Sequence, residues 1–182
     1  QEYVLPLARA LRDNPRFASY LDERTINALA QSAPLHDIGK VGIPDHILLK
    51  PGKLTPEEWE IMKTHAELGS NAIAQAEADA EKPVEFLAIA KLIARSHHEK
   101  WDGSGYPDAL AGDAIPIAAR LMALADVFDA LTCKRVYKPA FTFDDAYRII
   151  VDGRGSHFDP DIVDAFVREY PTFMSIAKAY AE

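Results

Sequence analysis

The segment Pro34-Leu35-His36-Asp37-Ile38-Gly39-Lys40 sets an imidazole beside a carboxylate, with a cation three residues further on. A neighbouring His and Asp can offer a divalent metal one nitrogen and up to two oxygens, and the second oxygen can bridge to a second metal. The pair alone carries little weight, because His-Asp dipeptides arise by chance. Downstream, however, stand His65 in a helical pattern, the adjacent His97 and His98, and Asp126 inside an apolar helical run. Each histidine also has a bland reading: His65 as a core residue bonded to a carbonyl, His97 and His98 as a solvated helix end near the C-terminal dipole. Asp126 resists that treatment. It lies among Leu121, Met122, Ala123, Leu124, Ala125, Val127 and Phe128, where an unpaired carboxylate costs several kcal/mol unless a metal or an arginine answers it.

Other residues have the chemistry to hold a substrate. Trp101 to Pro116 carries Gly103, Gly105, Pro107 and Gly112 together with two large aromatics, which reads as an ordered loop. Trp101 is expected to plug the core beneath it, and Tyr106 either to do the same or to offer a flat face to a base. Asp129 follows Asp126 by one turn on the same face. Lys134, Arg135 and Lys138 gather cations just past that helix, either as solvated surface or as a grip for phosphate oxygens.

The elements that must position these groups all read as helices. Tyr3, Val4, Leu7, Ala8 and Leu11 recur at helical spacing up to Asn14-Pro15, and Asp22 can cap a second helix that presents Ile26, Leu29 and Ala30. Lys40 to Lys53 reads as a loop. Thr55-Pro56-Glu57-Glu58 is a capping box that starts one long helix to about Ala78, with Met62, His65 and Gly69 on one face and Gly69 leaving room for the imidazole. The next helix starts at Val84 and runs Phe86, Ile89, Ala90, Ile93 to His97. Ile117 to Leu131, Thr142 to Val151, Pro160 to Glu169 and Pro171 to Tyr180 follow, the last as an amphipathic helix able to dock or dimerise. No strand pattern emerges, so the expected fold is an all-α bundle with a Gly/Pro-rich loop over the site.

Composition bounds the function. The chain has 182 residues, 48% of them hydrophobic, enough for one core and one domain. Its 28 acidic against 20 basic residues give a net charge of −8, which argues against a broad DNA or RNA surface while leaving room for a nucleotide held by metals and local cations. The single cysteine, Cys133, excludes an internal disulfide framework and fits a reducing cytoplasm. There is neither a membrane-span pattern nor a signal-peptide pattern. The first helix begins without a cap, so the chain is expected to be part of a longer protein.

Three blocks together resemble one family: His36-Asp37-Ile38-Gly39-Lys40, then His97-His98-Glu99-Lys100-Trp101-Asp102-Gly103-Ser104-Gly105-Tyr106-Pro107, then Ala125-Asp126-Val127-Phe128-Asp129-Ala130-Leu131-Thr132. In order and separation they resemble the HD-GYP domain, a branch of the HD metal-dependent phosphohydrolases associated with cyclic dinucleotides, above all cyclic di-GMP. The resemblance covers about Tyr20 to Phe166. It implies metal-assisted phosphodiester hydrolysis of cyclic di-GMP, and of its linear product pGpG as a further substrate.

The resemblance also implies roles. Asp37 bridges two divalent metals, and His36, His65, His97, His98 and Asp126 complete the metal site. Lys40 contacts the scissile phosphate and shares the catalytic work with Asp37. Arg135 and Lys138 hold the substrate's phosphates, Tyr106 lies near a guanine, and Asp129 belongs to the substrate side. Imidazole and carboxylate ligation without cysteine suits iron or manganese, with nickel, cobalt or zinc as alternatives. Family members usually add a Glu and a His upstream of what is here Gln1, so a third metal is in doubt. Expected partners are a diguanylate cyclase of the GGDEF type, a receiver domain or a second copy of the chain. Two other readings stay open: a module that binds a cyclic dinucleotide or a partner without cleaving it, and an HD-type hydrolase of nucleotide monoesters.

Overall fold

The computed structural model describes residues 2–134 and 139–180, and among these it contains helices and no strands. In chain order α1 spans Val4–Leu11, α2 Glu23–Ser32, α3 Asp45–Leu48, α4 Pro56–Lys63, α5 His65–Asp79, α6 Glu85–Ser96, α7 Ile117–Thr132, α8 Phe143–Asp152 and α9 Pro160–Ala179. Short 3₁₀ turns fill Ala33–Leu35, Ile38–Gly42 and Gly112–Ala114. None of the described helices is long and apolar enough to cross a membrane.

α7 is the axis of the bundle. Every residue from Ala118 to Ala125 is buried, as is Phe128. A helix apolar on all sides is stable only when other elements surround it, and α1, α6, α8 and α9 do so. The Phe128 ring meets Tyr3, Phe166 and Phe173 at centroid separations of 5.2, 5.7 and 5.1 Å. Asp126 is therefore carried on the central, most buried helix of the fold. A smaller apolar cluster of Ile73, Ala90 and Ala94 joins α5 to α6.

Local signals behave as their chemistry requires. Asp22 accepts from the Thr25 amide at 2.7 Å, and the Thr55 box closes in both directions, Glu58 N to Thr55 Oγ1 at 3.1 Å and Thr55 N to Glu58 Oε2 at 2.8 Å.

Three expectations are corrected. The helix begun at Thr55 does not run unbroken to Ala78: it stops at Lys63, and α5 starts afresh at His65. The Thr64 hydroxyl donates to the Ile61 carbonyl at 2.6 Å, the local bond by which Thr competes with the helical ladder. The Lys40 to Lys53 segment is not simply a loop, since it holds the 3₁₀ turn and α3, anchored by the buried Ile47. Finally, Pro160–Glu169 and Pro171–Tyr180 are one continuous helix. Pro171 removes one amide from the ladder, opposite an exposed Val167, while the fully buried Phe173 holds both halves to the same core. That buried face serves the chain's own interior.

Candidate metal centre

His36, His65 and His97 are presented in the same way. Each Nδ1 lies against a backbone carbonyl one turn upstream: His36 on Ala33 at 2.8 Å, His65 on Met62 at 2.7 Å, His97 on Ile93 at 2.8 Å. A carbonyl can only accept, so each Nδ1 donates its proton and each Nε2 is aimed elsewhere. The interrupted α4–α5 junction is what brings the Met62 carbonyl under His65.

All three Nε2 atoms point at Asp37. Those of His65 and His97 stand 3.5 Å from Oδ1, while that of His36 stands 3.3 Å from Oδ2 and 3.3 Å from Asp126 Oδ1. His98 completes the first side, its Nε2 lying 3.1 Å from that of His65. Lys40 completes the second, its Nζ 2.7 Å from Oδ2. One carboxylate thus faces a different set of donors with each oxygen.

The chemistry of the first side is unusual. His97 Nε2 and Asp37 Oδ1 are buried and have no hydrogen-bond partner among the described residues. Lone pair meets lone pair, a costly arrangement unless a cation lies between them. The ligand atoms of Asp37, His65, His97 and His98 lie within 4.8 Å of one another. Around a cation with bonds of about 2.1 Å, neighbouring ligand atoms are separated by about 3.0 Å in octahedral and about 3.4 Å in tetrahedral geometry. The observed 3.1–3.5 Å matches those edges. The donor set fits a divalent metal, and each carbonyl-bound imidazole has the outer partner that metal-ligating histidines require.

Charge follows the same division. Burial alone pushes the Asp37 carboxyl up, but His36 and Lys40 outweigh it and hold it well below the usual range. Burial likewise opposes ionisation of Asp126, and His36 reverses that. His36 is itself raised to about 10, because Asp126 and Asp37 overcome its desolvation. His98 is pushed down to about 3 by burial first and by His97 and His65 next, so its lone pair stays free. One side attracts positive charge with carboxylates, and on the other His98 offers a neutral nitrogen.

Gly39 lets these groups meet. A Cβ there would run into the His65 carbonyl oxygen and approach the Gly69 amide to 2.5 Å. Gly69 therefore makes room for the Gly39 backbone, not for the imidazole as its spacing suggested. The His36–Lys40 turn lies directly on α5.

Around this centre, Tyr106 stacks on His98 at 4.9 Å with an 18° interplanar angle, and Trp59 meets the Tyr106 edge at 6.0 Å. The Tyr106 phenol is raised by burial and then by Asp37 and Asp126. Trp101 is half-buried beneath the guanidinium groups of Arg16 and Arg120, at 5.5 and 5.8 Å, in a structural position. A cavity of ≈ 680 Å³ opens beside His36 and Asp126, with Asp129, Cys133, Tyr3 and Tyr180 among its walls. Arg135 and Lys138 lie outside the described residues. Trp59 and the buried Glu99, both close to the centre, are not legible from side-chain spacing.

The model of the HD domain family matches residues 12–162. The chain belongs to the HD domain family. Two curated relatives from Vibrio cholerae match this HD domain along its whole length: a cyclic di-GMP phosphodiesterase at 55% identity and a probable cyclic di-GMP phosphodiesterase at 53%. The chain spans 37% and 41% of their respective lengths, well under half. A solved cyclic GMP-AMP specific phosphodiesterase of the same organism superposes with a TM-score of 0.62 at 20% identity, over 98% of this chain and 46% of that one, and so shares the fold.

Proposed function

We propose that this HD domain is a metal-dependent phosphodiesterase that cleaves a guanine-containing cyclic dinucleotide, cyclic di-GMP first. The observation that carries the reading is Asp37, whose two oxygens face two donor sets while Oδ1 and His97 Nε2 lack partners. In this reading Asp37 would serve divalent metals on both sides, with His65, His97 and His98 as further ligands on one side and His36 and Asp126 on the other. When bound, divalent metals in such a site activate water at neutral pH and neutralise phosphate charge. Iron or manganese suits the imidazole and carboxylate set, with nickel, cobalt and zinc as alternatives.

The chain's own groups supply the rest. Asp37 and Asp126 stay ionised, and His98 stays neutral, across physiological pH. Lys40, part-exposed beside Asp37, is the cation assigned to the scissile phosphate. Tyr106 lines the base side, Asp129 reaches the adjoining cavity, and Arg135 and Lys138 are assigned the remaining phosphate oxygens. The names of the matching relatives favour cyclic di-GMP. Because the chain spans only part of those relatives, we assign it as one domain of a longer cytoplasmic signalling protein. A GGDEF-type cyclase, a receiver domain or a second copy is its proposed partner.

The test is turnover of cyclic di-GMP, cyclic GMP-AMP, pGpG and a nucleotide monoester with Mn²⁺ or Fe²⁺ added, for wild type and Asp37→Ala. Metal-dependent cleavage of a cyclic dinucleotide, lost in the variant, supports the reading. Binding without turnover would assign a receptor module, and cleavage of the monoester alone a different HD hydrolase.

A further inference from the structure

Of the four clustered histidines, His98 is the exception. His36, His65 and His97 are oriented by carbonyls through Nδ1. Among the described residues no carbonyl takes a proton from the second ring nitrogen of His98, which lies just past the C-terminus of α6. Its ring lies between His97, with centroids 4.0 Å apart, and the face of Tyr106, stacked at 4.9 Å. A tyrosine on a glycine-rich loop is a poor support unless the loop itself is fastened.

The fastening is visible. Glu99 is 2% exposed, and its carboxylate accepts from two backbone amides of the loop, Asp108 at 2.7 Å on Oε1 and Leu110 at 3.0 Å on Oε2. Arg95 grips Asp108 with two bonds of 2.7 and 2.8 Å from the last turn of α6. Gly105 presses on the same helix end, where a Cβ would come within 2.5 Å of the His98 oxygen and the Lys100 nitrogen. The Tyr106 amide then donates to the His98 carbonyl at 3.3 Å. The loop is thus folded back and bound to the residues that carry the imidazoles.

We propose that Glu99 is a positioning residue: its buried carboxylate clamps the 105–110 loop onto the end of α6 and so holds Tyr106 against His98. Its role is to replace, for His98, the carbonyl that orients the other imidazoles. The inference rests on the metal-centre reading given above.

Glu99→Gln tests it with almost no change of shape. A carboxylate accepts from both amides, whereas a carboxamide must turn its NH₂ towards one of them and loses that bond. Cobalt(II) is the probe, added to chelator-treated protein, with the visible spectrum and the affinity as readouts beside activity. We expect a folded variant whose cobalt affinity falls about 10- to 100-fold, the range for partners that orient ligands, and whose cobalt spectrum changes. Tyr106→Leu should give the same spectral change, and the double variant should be no worse than either single one, since they act through one contact. A variant that merely melts earlier, with wild-type cobalt affinity and spectrum, overturns the inference. If Glu99→Gln does not fold, an unchanged spectrum in Tyr106→Leu overturns it equally. Asp37→Ala separates the two claims. Unaltered cobalt binding there would refute the metal centre itself, whereas lost binding there with a wild-type Glu99→Gln refutes only the clamp.

Discussion

Two carboxylates, the fully buried Asp159 and the part-buried Asp37, are answered in opposite ways. Asp159 has a side chain with no solvent exposure and takes hydrogen bonds from Arg16 at 3.1 and 3.1 Å, from Arg120 at 2.8 Å and from the Asp161 amide at 3.0 Å. Everything around it donates. That network ties the start of α9 to α7 and to the segment after α1, and its guanidinium groups cover Trp101. Around Asp37 only Lys40 is an obligate donor, and Oδ1 faces nitrogens whose protons are committed to carbonyls. A carboxylate ringed by donors is a brace, whereas one with a buried oxygen facing lone pairs is suited to a cation.

The contrast can be broken most sharply at Asp37. Asp37→Ala should abolish bound metal and metal-dependent turnover together and leave the helical signal intact, as read by elemental analysis, an activity assay and circular dichroism. The reverse pattern belongs to Asp159. Asp159→Ala takes from the buried Arg120 and the part-exposed Arg16 the carboxylate they share, and breaking a buried pair costs about 3–5 kcal/mol. At roughly 2–4 °C per kcal/mol for a domain of this size, thermal unfolding should drop by about 6–20 °C with metal content unchanged below the transition. A smaller effect separates substrate grip from metal binding: Arg135→Ala should weaken substrate by about 1.5–3 kcal/mol, seen as a raised KM at unchanged metal stoichiometry.

The pH dependence of the metal-free protein sharpens the comparison without mutation. His36 binds its proton more tightly folded, so its contribution is complete below about 6.5 and is lost as pH rises towards about 10. His98 is lowered to about 3, so between about 6.5 and 3 the unfolded chain takes a proton that the folded chain refuses, and stability falls as pH drops. Melting temperature in chelator should therefore decline on both sides of about pH 6.5. His36→Ala should remove the alkaline decline and spare the acid one.

Much of this was legible in the residues. The apolar run around Asp126 announced α7 and a carboxylate in need of a partner, because the residues from Ala118 to Ala125 leave no solvated face beside it. The Thr55 box and the Asp22 cap were readable because their bonds are local. The break at Thr64 was not, since helical periodicity continues across it and only the Thr64 hydroxyl on the Ile61 carbonyl marks it. Pro171 misled in the other direction: a proline signals a stop, but the burial of Phe173 outweighs one missing amide bond. Glu99 stayed hidden because its partners are backbone amides, which leave no trace in side-chain spacing. Gly69 was recognised as a small residue at the right place, but for the wrong neighbour.

The central claim is that Asp37 is built to be shared between two cations. It is tested most directly by titrating chelator-treated protein with Mn²⁺ at pH 8, counting bound ions and released protons by calorimetry in buffers of different ionisation enthalpy. The account predicts two ions per chain in the wild type, displacement of the proton that His36 holds below about pH 10, and loss of both ions in Asp37→Ala. No binding in the wild type, or two ions still bound without Asp37, would contradict it.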